Sequence, residues 1–345
     1  MNLADLNKVA LAMVAPGKGI LAADESSGTI KKRFDAINVV STEESRRDYR
    51  EMMFRSSEAM TRYISGVILY DETIWQNAGD GTPLVKIIQQ SGAIPGIKVD
   101  EGTQALPNCP GELVTVGLDK LAERLKKYYD QGARFAKWRA VIDIGRNVPT
   151  MTAIHVNAHA LARYAALCQA AQIVPIVEPE VLMDGDHDIN RCYEVSMRVL
   201  NKTFQELRVQ RVALEGMILK PNMAVSGKKS SRQASVEQVA EKTIRLLKAC
   251  VPAAVPGIAF LSGGQTDEQA TAHLNAMNRI SGLSGRLPWR LTFSYGRALQ
   301  AAPQKAWSGK PENVAAGQRA FTHRARMNAL ASKGEWEAGL EKKVA

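Results

Sequence analysis

The stretch Gly216-Met217-Ile218-Leu219-Lys220-Pro221-Asn222 is a short apolar run closed by an ammonium and then by a proline. A run of this length, rich in apolar side chains and bounded by a turn former, reads as a buried strand. The lysine at its end is costly to desolvate unless its charge has a task. Two further runs repeat the design: Phe135-Ala136-Lys137-Trp138-Arg139 and Ile176-Val177-Glu178-Pro179-Glu180 each finish on two charges at i and i+2. Side chains two apart on a strand share a face. Lys137 with Arg139, Glu178 with Glu180, and Lys220 are therefore charges aimed from different strands into one space.

Working outward, comparable runs start at Gly19, Ser65, Ile94, Ala133, Ile173, Gly216, Gly257 and Arg290. Their spacing of roughly 30 to 50 residues suits repeated strand-plus-helix units. The intervening segments carry helix signals. Ser235-x-x-Gln238 and Thr266-x-x-Gln269 have the spacing of capping boxes, and Leu118, Leu121, Leu125 and Tyr128 form one helical face that Gly132 terminates. Eight such units without a Pro/Ser/Gly-rich linker predict an α/β fold, a single-domain (β/α)₈ TIM barrel over residues 1–345, with 311–345 as a C-terminal helical or tail segment. A doubly wound sheet with a second domain is the alternative. The barrel also accounts for the charges, because its active sites are built at the C-terminal ends of different strands. Asp24, Lys98, Lys137, Arg139, Glu178, Glu180, Lys220, Ser262 and Arg297 all lie at or just past such ends.

Composition narrows the setting. The chain has 345 residues, 45% of them hydrophobic, and a formal net charge of +10. That charge suits an anionic partner, whether phosphorylated metabolite, acidic surface or nucleic acid. It contains no run of five basic residues and no nucleic-acid recognition motif, so nucleic acid is not expected. Cys109, Cys168, Cys192 and Cys250 are widely separated and read as thiols in a reducing, cytoplasmic compartment. The first fifteen residues place Leu3, Leu6, Val9 and Met13 on one face, a surface helix and not a signal peptide. No apolar run approaches the about 20 residues of a membrane helix, so no membrane association is expected.

A lysine among other cations in a partly dry site has its charged form disfavoured, and neutral amine attacks carbonyls. Lys220 is thus a candidate Schiff-base nucleophile, with Lys137 or Arg139 as the depressing charge and Glu178 or Glu180 moving protons. A buried salt-bridge network without chemistry is the competing interpretation. Leu261-Ser262-Gly263-Gly264-Gln265 and Ser294-Tyr295-Gly296-Arg297 follow the seventh and eighth runs, where barrel enzymes often bind phosphate. Asp24-Glu25-Ser26-Ser27-Gly28-Thr29, followed by Lys31, Lys32 and Arg33, reads either as an ordinary helix cap or, with Lys98, as a second anion site. Two anion sites flanking a nucleophilic lysine suit a bisphosphorylated sugar. His155 and His159 have i, i+4 spacing but no HExxH pattern, so a surface or helix-packing role is expected, with no metal and no cofactor.

Together, Gly19-Ile-Leu-Ala-Ala-Asp-Glu-Ser-Ser-Gly28, Phe135-Ala-Lys-Trp-Arg139, Ile173-Val-Pro-Ile-Val-Glu-Pro-Glu180, Leu219-Lys-Pro-Asn-Met223, Phe260-Leu-Ser-Gly-Gly-Gln265 and Leu291-Thr-Phe-Ser-Tyr-Gly-Arg297 resemble class I fructose-1,6-bisphosphate aldolase over about residues 3 to 310. The resemblance implies a (β/α)₈ barrel, commonly a homotetramer, that cleaves fructose 1,6-bisphosphate reversibly to dihydroxyacetone phosphate and glyceraldehyde 3-phosphate without metal. It implies that Lys220 forms the Schiff base, Glu178 helps dehydrate the carbinolamine, and Asp24 takes the C4 hydroxyl proton. Lys137 would stabilise charge near the C2 and C4 oxygens, Glu180 would position neighbouring charges, and Arg139 would contact substrate. Ser262, Gly263 and Arg297 would hold the C1 phosphate; Ser26 and Lys98 would hold the C6 phosphate, with Thr29 where a phosphate-binding serine is usual. A neighbouring possibility is a transaldolase-like or monophosphate-specific lyase. Many members end in a tyrosine that assists proton exchange on the enamine, but this chain ends Glu341-Lys-Lys-Val-Ala345 and has no tyrosine after Tyr295. His155 and His159 lie outside the family pattern.

Overall fold

A computed structural model describes residues 1–283 and 287–342. Ten strands are present in chain order: β1 (Gly19–Ala23), β2 (Ile64–Leu69), β3 (Ile94–Lys98), β4 (Thr103–Ala105), β5 (Leu113–Thr115), β6 (Phe135–Ile142), β7 (Val174–Val181), β8 (Ile218–Leu219), β9 (Gly257–Phe260) and β10 (Arg290–Tyr295). Eight of them close into a parallel barrel in the order β1-β10-β9-β8-β7-β6-β3-β2. These are the eight apolar runs of the sequence. β4 and β5 form a small antiparallel hairpin outside the barrel, for which the apolar runs give no signal. The Ile218–Leu219 ladder is short because Pro221 follows, yet the Lys220 N–H still donates to the Val177 carbonyl at 2.8 Å.

The register places the charged strand ends side by side. Lys98 opposes Lys137 across β3 and β6, and Arg139 opposes Glu178 across β6 and β7. Inside the barrel, a layer of Ile20, Ile68, Phe135, Val174, Ile176 and Ile218 fills the end opposite these charges. Room for the Phe135 ring comes from Gly66, where a Cβ would lie 2.9 Å from ring carbon Cε1.

Leu6, Ala10 and Met13 of the first helix, Leu3–Met13, pack onto that same layer. The helix expected on the surface is thus a plug for the bottom of the barrel, anchored where Ser65 Oγ donates to the Met13 carbonyl at 2.6 Å. Both expected capping boxes form, at Ser235–Gln238 and Thr266–Gln269. The face ending at Gly132 belongs to a helix that begins at Leu121, so Leu118 precedes it.

Around the outside, the helix Val314–Ala331 packs against Asp267–Leu283 and Arg297–Trp307. Arg319 and Arg326 of this basic helix are exposed, but Arg324 is buried and donates to Glu341 at 2.6 Å and to Thr271 at 2.7 Å. The expectation for the last three residues, 343–345, lies outside the described range. The four cysteines are free thiols. No helix among the described residues is long and apolar enough to cross a membrane.

Candidate active site

The C-terminal ends of the strands surround a cavity of about 1060 Å³, lined by Asp24, Ser26, Thr29, Lys98, Lys137, Arg139, Glu178, Glu180, Lys220, Ser262, Gly263 and Arg297. Lys31 and Lys32, considered for the second anion site, are not in its lining, and Lys31 pairs with Asp35 on the surface. Lys220 and Glu178 lie on its floor, both almost fully buried, with Lys220 Nζ 3.1 Å from Glu178 Oε1. The other Glu178 oxygen, 3.5 Å from Lys137 Nζ, has no hydrogen-bond partner among the described residues. Lys137 Nζ in turn sits 2.6 Å from Asp24 Oδ2. Carboxylates and ammoniums therefore alternate along the line Lys220, Glu178, Lys137, Asp24. Burial pushes the Asp24 carboxyl up, but the Lys137, Lys220 and Lys98 cations outweigh it and hold the group at about 2. Burial opposes the charge on Lys137, while Asp24 and Glu178 more than compensate and raise it above the ordinary lysine range. Both are ionised at neutral pH.

Of the two glutamates proposed from the sequence for proton movement, only Glu178 touches Lys220. Glu180 is committed to the Arg139 guanidinium, whose ionisation is strengthened against the cost of burial by that carboxylate. Arg139 reaches outward from there and is partly exposed at the rim. Lys98 is folded back onto Asp100, 2.7 Å from its carboxylate and 2.6 Å from its carbonyl.

Two groups of anion-binding type lie on the cavity wall. After β9, Gly263 adopts φ +56°, a left-handed conformation that glycine takes without strain. Ser262, Gly263, Gly264 and Arg297 line that side. Near β1, Ser26 caps the helix Ser27–Asp35, its Oγ 3.4 Å from the Thr29 N–H and 3.1 Å from Thr29 Oγ1. The cap interpretation is thus correct as local structure, and the same hydroxyls still face the cavity.

A model of the family "Fructose-bisphosphate aldolase class-I" matches residues 5–345. The chain belongs to the class I fructose-bisphosphate aldolase family. It is accordingly a carbon–carbon lyase acting on fructose 1,6-bisphosphate. A probable class 1 fructose-bisphosphate aldolase of Xanthomonas campestris is 56% identical over 338 residues, covering 98% of this chain and all of the relative. The cytosolic fructose-bisphosphate aldolase 4 of Arabidopsis thaliana is 53% identical, covering 94% of this chain and 82% of that one. Among solved structures, a Plasmodium falciparum fructose-bisphosphate aldolase superposes with TM-score 0.94 at 46% identity, covering 98% of this chain and 96% of that chain.

The cavity and its support also involve groups quoted above only within longer segments, or not at all. Ser294 is buried in β10, lines the cavity, and leaves its hydroxyl unpartnered among the described residues. A serine inside an apolar strand looks like filler until its neighbours are known. Asp100 holds Lys98 and accepts from the Arg139 backbone N–H at 3.3 Å, so it ties two strand ends together. Behind the Ser262 loop, Gln265 donates to the Ser262 carbonyl at 3.0 Å, and its own amide oxygen faces His273 Nδ1 at 2.5 Å. An amide oxygen only accepts, so His273 carries its proton on Nδ1. His155 and His159 do not line this cavity; their Nδ1 atoms lie 3.3 and 3.2 Å from Glu206 and fasten two outer helices.

Proposed function

We propose that this aldolase works through an imine on Lys220, without a metal, and that Asp24, Lys137, Glu178 and Glu180 are its catalytic carboxylates and cation. The observation that carries this reading is the buried Lys220–Glu178 contact of 3.1 Å at the floor of a cavity lined by Ser26, Lys98, Ser262, Gly263 and Arg297. Glu178 is within proton-transfer reach of the amine. It can accept a proton as Lys220 attacks the C2 ketone and return it to the departing carbinolamine hydroxyl, so that water leaves and the iminium forms.

The iminium is an electron sink next to C3. Loss of the C4 hydroxyl proton to Asp24 lets the C3–C4 bond break, its electron pair flowing to the iminium nitrogen as an enamine. Glyceraldehyde 3-phosphate departs as the aldehyde. Protonation at C3 and hydrolysis of the imine then release dihydroxyacetone phosphate. Ser262, Gly263 and Arg297 hold the C1 phosphate, Ser26, Thr29 and Lys98 the C6 phosphate, and Arg139, set by Glu180, contacts the sugar. A homotetramer in the cytoplasm is part of this reading, supported by the family resemblance and by the cytosolic name of the Arabidopsis relative.

The test is borohydride reduction of the protein with dihydroxyacetone phosphate in the presence of a chelator, followed by peptide mapping. A reduced adduct on Lys220, absent in Lys220→Met, is the expected result. A folded protein that gives no adduct, or a Lys220→Met variant that still turns over, would overturn the imine assignment.

A further inference from the structure

The loop that follows Lys220 carries a second lysine over the phosphate-binding turn. Three backbone hydrogen bonds zip this loop to the one after β7: Gly227 N–H to the His187 carbonyl at 2.8 Å, Lys228 N–H to Met183 at 2.7 Å, and Lys229 N–H to Gly185 at 3.0 Å. The zip fixes the Lys228 backbone at the cavity edge. Its side chain lines the cavity and runs across Gly264, so that a Cβ at that position would collide with the end of the lysine. Lys228 Nζ rests 2.6 Å from Asp184 Oδ1, and both partners are substantially exposed.

Two features make this resting position easy to leave. An exposed lysine–carboxylate pair contributes little, because water screens it and two side chains must be held still. The Gly264 N–H, next to the lysine, points at Met183 Sδ at 3.2 Å. A thioether is a weak acceptor, so this donor is poorly satisfied without an anion. A phosphate dianion on the Ser262–Gly264 turn would offer Lys228 a stronger partner than Asp184, with charge-assisted hydrogen bonds of the kind that favour ammonium on phosphate.

We propose that Lys228 is a substrate-binding residue, released from Asp184 to close on the C1 phosphate over the Ser262–Gly264 turn. This rests on the assignment of the Ser262–Gly264 turn and Arg297 to that phosphate. Asp184 is then a parking partner for the empty site, and Gly264 lacks a side chain because the lysine crosses it.

The experiment measures the affinity of inorganic phosphate by titration calorimetry, and the KM for dihydroxyacetone phosphate in the condensation direction, for the unaltered protein and for Lys228→Met, Lys228→Arg, Asp184→Asn and Arg297→Gln. Lys228→Met should weaken phosphate binding about tenfold and raise KM in parallel, Lys228→Arg should restore most of it, and Asp184→Asn should tighten it about threefold. Circular dichroism of each variant establishes that it is folded. If Arg297→Gln weakens phosphate and Lys228→Met does not, the Lys228 proposal is wrong while the phosphate site stands. If neither variant changes phosphate affinity, the phosphate assignment fails and the proposal falls with it.

Discussion

Asp24 is a carboxylate that three lysines hold at about 2 against the opposing effect of burial. A group held so low is a poor base while Lys137 stays 2.6 Å away. Its proposed role in taking the C4 proton therefore depends on Lys137 being shared with substrate oxygen, which loosens the pair and raises the basicity of Asp24. Lys137→Met removes the foremost cation and its hydrogen bond, leaving burial less opposed. The Asp24 ionisation then moves upward. The acid limb of the kcat/KM profile should shift to higher pH, and activity at neutral pH should drop on the order of a hundredfold or more, the scale of losing one charge-stabilising group. An acid limb that stays in place would show that Lys137 does not govern Asp24.

Each barrel strand has two ends with different duties, and the sequence revealed them unequally. The ends carrying Asp24, Lys98, Lys137, Glu178 and Lys220 were legible because a charge after an apolar run has no packing explanation, and parallel pairing brings all such ends together. The opposite end was not. Helical periodicity in Leu3–Met13 says which face is apolar but not what that face covers, so a barrel plug and a surface helix read alike. The same limit hid what Ser294 and Gln265 do individually within the candidate segments that contain them, an unpartnered hydroxyl and a tether between His273 and the Ser262 carbonyl. Because plug and cavity occupy opposite ends, Met13→Ala should separate stability from catalysis. Met13 is fully buried, and truncating such a side chain costs about 2–5 kcal/mol. The urea midpoint should fall accordingly, with the KM for fructose 1,6-bisphosphate unaltered at ordinary assay temperature. A rise in KM would instead mean that the plug transmits strain along the barrel.

At the scale of the whole fold, buried titrating groups set how stability responds to acid, and one of them, His273, supports the site through Gln265. Burial lowers His273 from its ordinary 6.5 to about 4. Between those values the unfolded chain binds a proton that the folded chain refuses, so stability declines as pH falls through that window and levels off below it. For His273 alone the full loss is about 3 kcal/mol, since each tenfold change in proton affinity between the folded and unfolded chain is worth about 1.4 kcal/mol. His187 acts in the same direction, its lowered value again due to burial and opposed by Asp186, Asp143 and Asp188. Asp24 adds a separate loss only as pH falls from 3.8 to about 2, where its folded-state ion pairs are finally protonated away. His273→Gln retains an amide donor for Gln265 while removing the titration. Urea midpoints measured from neutral pH down to the lower end of the His273 window should therefore slope less steeply in this variant than in the unaltered protein, with the two curves converging toward acid. Parallel curves would mean that His273 is not what the fold keeps neutral.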